Sequence, residues 1–254
     1  MRTGRYLYGL IRSAEDQDFG AIGLEHQGKP GRVHTVQVDG VAAIVSEYPV
    51  GEKILPLRKN LGPHHRVIQE VMKTATIVPA SFGHVAKSED DVARALRRND
   101  GAVRAELDRV DGKVEMGLKV RWDVDNIFEY FVGLDPELAA FRDEIFGRSH
   151  APTQAEKIDL GQMFERRVAQ DREDQSERVV KAFQPLFSEV KVNPPKSETC
   201  VMDLAFLVPR DGVKSFEERV YVVAGTFPAQ YLFDFNGPWA PFHFVELDLH
   251  VAAA

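Results

Sequence analysis

Residues 32–48 read RVHTVQVDGVAAIVSEY. Two runs rich in apolar and β-branched residues, Arg32 to Val38 and Val41 to Tyr48, flank the dipeptide Asp39-Gly40. A two-residue Asp-Gly connection supplies the positive φ angles that a tight hairpin needs, and it is the strongest short hairpin signal a sequence carries. The segment therefore predicts two antiparallel strands, and the N-terminal half can be read outward from them. Upstream, Arg5 to Ile11 reads as a buried strand, and Ser13 to Gly31 reads as a polar, glycine-containing connection. Downstream, Gly62-Pro63 predicts a helix start with proline in the first turn. Its apolar stripe is Val67, Ile68, Val71, Met72 and Ala75. Ile77-Val78 forms a short strand stopped by Pro79. Ser88 caps a second helix whose first turn carries Glu89, Asp90 and Asp91, as the helix dipole favours. Val92, Leu96, Val103 and Leu107 give that helix its buried side, with Gly101 as its weak point. Lys113 to Trp122 closes the half as a strand alternating Val114, Met116, Leu118 and Val120. The order β-β-β-α-β-α-β predicts two helices on one face of a largely antiparallel sheet, a ferredoxin-like α+β arrangement.

The second half opens with helical pieces over Val124 to Phe131 and from Pro136 to about Gly147. The longest helical pattern runs from Thr153 to Phe183, with one apolar stripe at Leu160, Met163, Phe164 and Val168 and another at Val179, Val180 and Phe183. Between them Gln170 to Arg178 is polar, so the helix is either solvated or broken there; the Asp174–Arg178 spacing favours continuity. Strands over Ser188 to Val192, Cys200 to Val208 and Gln230 to Phe235, with a helix over Lys214 to Ala224, complete a second α+β unit. Then FPAQYLFDFNGPWAPFHF, residues 227–244, gathers seven aromatic side chains. Asn236-Gly237-Pro238 is expected to end the strand, and Pro241 keeps the residues around it from becoming a helix. The expected organisation is an N-terminal α+β domain over 1–123, a C-terminal α+β domain with the long helix over 124–235, and an extended aromatic tail over 236–254. Each domain is a variant ferredoxin-like antiparallel sheet with helices on one face. The tail is expected to pack first on the C-terminal domain, the surface so formed meeting a partner. Phe235, Trp239, Phe242 and Phe244 are the candidate partner-binding residues.

Composition narrows the function classes. The chain has 254 residues, a formal net charge of −7, 28% charged and 44% hydrophobic residues. No apolar run approaches the roughly 20 residues a membrane-spanning helix needs, and the first residues lack the pattern of a secretory signal. Cys200 is the only cysteine, which fits a reducing cytoplasm. Arg94, Arg97 and Arg98 are offset by Glu89, Asp90 and Asp91, so a nucleic-acid footprint is not expected. His64 and His65 point about 100° apart on a helix and cannot chelate one metal together, so His64 is read as a core or rim residue. His84 has no ligand partner at metal-binding spacing. Cys200 is read as an inert thiol and Asp203 as solvated, while Asp123, Asp125 and Asp135 are read as helix caps. Phosphate-cradling, dinucleotide and nucleophile-elbow motifs are absent, so no catalytic residues, cofactor or metal are assigned.

Several segments together resemble the gas vesicle protein F/L (GvpF/GvpL) family. They are Tyr6-Leu7-Tyr8-Gly9, the Val38 to Val45 hairpin, and His64-His65 ahead of an amphipathic helix. Val78-Pro79-Ala80-Ser81-Phe82-Gly83, Gly117-Leu118-Lys119-Val120 and Gly237-Pro238-Trp239-Ala240-Pro241-Phe242 complete the set. The last segment is the most specific, although Ala240 stands where the family usually has proline. The resemblance implies a minor gas vesicle protein that is not an enzyme and acts in assembly or nucleation of the shell. Its implied partners are the small hydrophobic major shell protein (GvpA-like) and other minor gas vesicle proteins, in the cytoplasm, with neither nucleic acid nor membrane. The alternative reading from the residues alone is a regulatory small-ligand-binding protein with paired ferredoxin-like modules.

Overall fold

The computed structural model describes residues 2–245, so residues 246–254 of the expected tail lie outside the described residues. The fold is mixed α+β, with antiparallel strand pairs and packed helices. Its elements are β1 (Thr3–Arg12), β2 (Asp18–His26), β3 (Lys29–Val38), β4 (Val41–Pro49), α1 (Arg58–Met72), β5 (Ile77–Pro79), β6 (Val85–Ala86), α2 (Glu89–Arg98), α3 (Asp100–Val110) and β7 (Lys113–Trp122). They are followed by α4 (Ile127–Leu134), α5 (Pro136–Phe146), α6 (Gln154–Phe183), β8 (Glu189–Asn193), β9 (Cys200–Pro209), α7 (Val213–Ala224) and β10 (Tyr231–Trp239). The described residues divide into two compact units, 2–115 with 238–245, and 116–237. The division falls inside β7 and β10, away from the loop near Asp123 where the sequence placed it.

In the first unit the order β2-β3-β4-β1-β5 makes a sheet whose β1 also pairs with β6. Asp39 and Gly40 both have positive φ, 50° and 84°, as the hairpin reading requires. The segment expected to be a connection instead contains β2, joined to β3 through a second tight turn in which Gln27 and Gly28 have φ of 50° and 76°. Glycine has a packing reason here. A Cβ at Gly23 would lie 2.6 Å from the Tyr8 hydroxyl, and one at Gly31 would lie 3.0 Å from Ser46 Oγ. These glycines let the outer hairpin approach the buried Tyr8–Ser46 pair.

Helix α1 begins at Arg58, ahead of the expected start, and carries Pro63 inside it. Its buried side is His64, Val67, Ile68, Val71 and Met72. The Ser88 cap is present, its hydroxyl accepting from Asp91 N. The helix it starts breaks at Asn99, two residues before Gly101; Asn99 ends α2 and opens α3.

In the second unit the sheet order is β10-β7-β9-β8. Strand β9 is internal and its residues 201–208 are all buried. Asp203 is therefore buried, which corrects the solvated reading: Lys119 lies 3.4 Å and Lys196 3.7 Å from its carboxylate, and Asn193 Nδ2 donates to it at 3.2 Å. Alternation fails as a guide when both faces of a strand are covered. Strand β10 does not stop at Asn236 but runs through Gly237 and Pro238 to Trp239, a course open to proline because β10 is terminal in the sheet. Gly117 makes room for it, since a Cβ there would sit 2.7 Å from the Asn236 amide oxygen.

Helix α6 spans 30 unbroken residues, opened by a capping box between Thr153 and Glu156. Its polar middle is tied to its surroundings. Asp171 is buried and accepts from the Tyr231 hydroxyl at 2.9 Å. Arg172 donates to the carbonyls of Cys200 and Glu198, and Arg178 donates to Thr226 and lies over the Phe227 ring. The core of this unit centres on Trp122, Phe131, Phe183, Phe206 and Phe216. Asp135 caps α5 as expected, whereas Asn126 caps α4.

Candidate partner-binding surface

Of the four aromatic residues singled out in the sequence, Phe235 and Trp239 lie on β10, while Phe242 and Phe244 lie in the turn after it. Phe235 is half-buried and packs edge-on against Tyr221 of α7, ring centroids 5.9 Å apart. Tyr221 is 69% exposed, and its neighbour Val222 is exposed as well, so this pair leaves an apolar patch on the second unit. Trp239 is 37% exposed and is the only one of the four classed as exposed.

Residues 240–245 group with the first unit, not with the C-terminal domain on which the tail was expected to pack first. Backbone bonds from Phe242 N to Ala240 O and from Phe244 N to Pro241 O curl the segment into a turn, which Pro241 favours. Phe244 and Ala240 are buried, and Phe242 meets the His65 ring edge at 5.6 Å. The Phe244 ring is fully buried within the first unit. The anchor beside it is polar. Glu115 of β7 is buried and takes two hydrogen bonds from His243, one from the backbone N–H at 2.8 Å and one at Nδ1, 2.7 Å away. Arg109 of α3 donates to the Phe244 carbonyl. A buried carboxylate held by two donors is satisfied, whereas Glu115 without His243 would be left with unpaired acceptors.

Sequence reasoning missed Glu115 and Arg109. Alternation along β7 put Val114 and Met116 inward and Glu115 out, yet residues 114–116 are all buried. Glu115→Ala is expected to release the turn without unfolding the first unit. Hydrogen exchange at residues 240–245 should rise about tenfold or more, given the roughly 1–3 kcal/mol that a buried charged hydrogen bond contributes. Unchanged exchange would show that the rings alone hold the segment.

His64 lies on the buried side of α1. It is buried with its Nδ1 2.8 Å from the Tyr6 hydroxyl, and burial, with a smaller contribution from neighbouring His65, lowers its pKa to about 4. The Tyr8 phenol is pushed up to about 12, and Tyr6 is also raised, in both cases mainly by burial. Tyr231 is raised for the same reason, with Asp171 adding to it. Among the described residues no group of three or more His, Cys, Asp or Glu side chains could hold a metal ion. No helix among them is long and apolar enough to cross a membrane. What the surface offers is apolar contact area and hydrogen-bonding edges.

Comparison with known proteins agrees on one family. A profile described as gas vesicle synthesis protein GvpL/GvpF matches residues 4–246. Gas vesicle protein F of Nostoc sp. (strain PCC 7120) is 26% identical over 250 residues, covering 97% of this chain and 100% of that protein. Gas vesicle protein F of Haloferax mediterranei is 26% identical over 264 residues, covering 100% of this chain and 97% of its own length. The crystal structure of the gas vesicle protein GvpF from Anabaena sp. PCC7120 superimposes with a TM-score of 0.84 at 25% identity, over 97% of this chain and 99% of that one. The GvpF structure from Microcystis aeruginosa, at 24% identity and a TM-score of 0.77 over 96% of this chain and 99% of that one, shares the fold.

Proposed function

The chain belongs to the gas vesicle synthesis protein GvpL/GvpF family, and from that premise we propose that it is a non-enzymatic protein of gas vesicle assembly. In this reading it binds the small hydrophobic major shell protein and limits its aggregation before or during nucleation of the shell. It acts at the gas vesicle in the cytoplasm, alongside other minor gas vesicle proteins, without nucleic acid, membrane or cofactor. The observation that carries the reading is the end-to-end likeness to proteins named gas vesicle protein F. The surface is physically suited to the task. Exposed apolar side chains such as Tyr221, Val222 and Trp239 offer contact area, while a net charge of −7 keeps a loaded complex dispersed. We read the two units as variant ferredoxin-like modules. Phe235 and Trp239 supply partner contact, and Phe242 supports the turn that presents Trp239.

Co-expression of the tagged chain with the major shell protein tests this. The shell protein is expected to co-purify with wild type, and Trp239→Ala combined with Phe242→Ala should reduce recovery several-fold at unchanged melting temperature. Failure of wild type to retain any shell protein would overturn the assembly reading. Full recovery by a folded double variant would remove Trp239 and Phe242 from the interface and leave the rest standing.

A further inference from the structure

We infer that the open edge of β8, with the apolar groove between it and α6, is a second docking surface, built for an extended apolar segment of the partner that carries a lysine or arginine. The inference rests on the reading that the chain binds a shell protein and adds the place and the chemistry of contact.

The groove has a volume of about 590 Å³. Val180 of α6, Val190 and Val192 of β8, Pro195, and Val201 and Met202 of β9 line it. Val192 stands at its mouth and is 63% exposed. A β-branched residue left this far in water on a strand is the side chain an added strand would cover.

Strand β8 ends the sheet order, so among the described residues one of its edges faces no neighbouring strand. The opposite end of the sheet is a poor template, because β10 holds Pro238, which has no N–H, and Gly237 with φ of 125°. Strand β8 contains no proline and pairs with β9 in unbroken register from Glu189 to Asn193. Its one central charge, Lys191, alternates to the other face from Val190 and Val192 and does not guard the groove.

Charge sets the partner's chemistry. Glu173 and Glu177 of α6 border the groove, are exposed and lie four residues apart on the helix. Among the described residues neither has an ion-pair or hydrogen-bond partner. Like charges at this spacing repel in the free chain, and a cation between them relieves that repulsion. Arg172 also lines the groove, its guanidinium donating to the carbonyls of Cys200 and Glu198, so one cation faces two carboxylates and the rim keeps a net negative charge. An apolar strand with one basic side chain therefore satisfies the backbone edge, the valine-lined floor and the acidic rim together.

The test uses the full chain and the major shell protein as probe, with affinity and amide hydrogen exchange read together. Wild type should bind and gain protection at residues 189–193. Val192→Glu should weaken binding about tenfold or more, and Glu173→Lys with Glu177→Lys should weaken it comparably, both at unchanged melting temperature. Wild-type affinity in both folded variants, or binding with no added protection at residues 189–193, would overturn the docking site while leaving the assembly function intact. No binding by wild type would overturn both.

Discussion

His64→Ala is expected to destabilise the first unit by about 4 kcal/mol, from the loss of a fully buried ring and of a hydrogen bond to a buried hydroxyl. The ring of His64 stacks on Tyr8 and meets Tyr6 and Phe82 edge-on, with centroids 5.5–5.7 Å away. The Tyr6 hydroxyl accepts from Gly83 N–H and shares a hydrogen bond with His64 Nδ1, so removing the imidazole takes away one of its two partners. The same contact predicts an acid dependence. The folded pKa of His64 is about 4, below the ordinary 6.5, so between these values the unfolded chain binds a proton that the folded chain refuses. Stability from this group is complete above pH 6.5 and is lost as pH falls toward 4, by about 3 kcal/mol in all. Urea midpoints measured at pH 7.5 and 4.5 should diverge strongly in wild type and much less in His64→Ala. Parallel pH profiles for the two proteins would refute the assignment.

The parts of this fold that could be read in advance are those set by neighbours in sequence. Asp39-Gly40 announced its turn because positive φ at two adjacent residues restricts the choice of side chain. Ser88 and Asp135 announced helix starts because capping acts over three residues. Strand β2 was hidden for the opposite reason. Its glycines answer to Tyr8 and Ser46, residues distant in sequence, and they dilute the alternation that marks a strand. Asp203 was misread because the burial of both faces of β9 depends on which elements flank it. The candidate site divides in the same way. Its aromatic residues were visible as a cluster, but the clasp that seats them joins Glu115 to His243, 128 residues apart. No local pattern encodes such a pair. The polar middle of α6 also waited for its partners, Tyr231 for Asp171 and two carbonyls for Arg172.

Phe183→Ala is expected to be the most destabilising single truncation in the second unit, costing about 3–5 kcal/mol. Phe183 ends α6, is fully buried, and lies between Phe206 of β9, stacked at 5.3 Å, and Phe216 of α7 at 4.8 Å. Its removal opens a cavity where helix, strand and second helix meet, and the flanking rings cannot close it without leaving each other, since Phe206 and Phe216 are themselves 5.3 Å apart. Denaturant unfolding followed by Trp122 fluorescence, a probe inside the same core, should show the loss as a lowered midpoint. A change below about 1 kcal/mol would mean the three rings repack freely and the site is not close-packed. The contrast with Val192 is what gives the binding experiments their meaning. Both residues are apolar and both belong to the second unit, but one is wholly buried and the other stands largely in water. A protein that lost shell-protein binding through Phe183→Ala would have lost its fold. One that lost binding through Val192→Glu while melting as before would have lost a contact, because an exposed valine contributes little to folding.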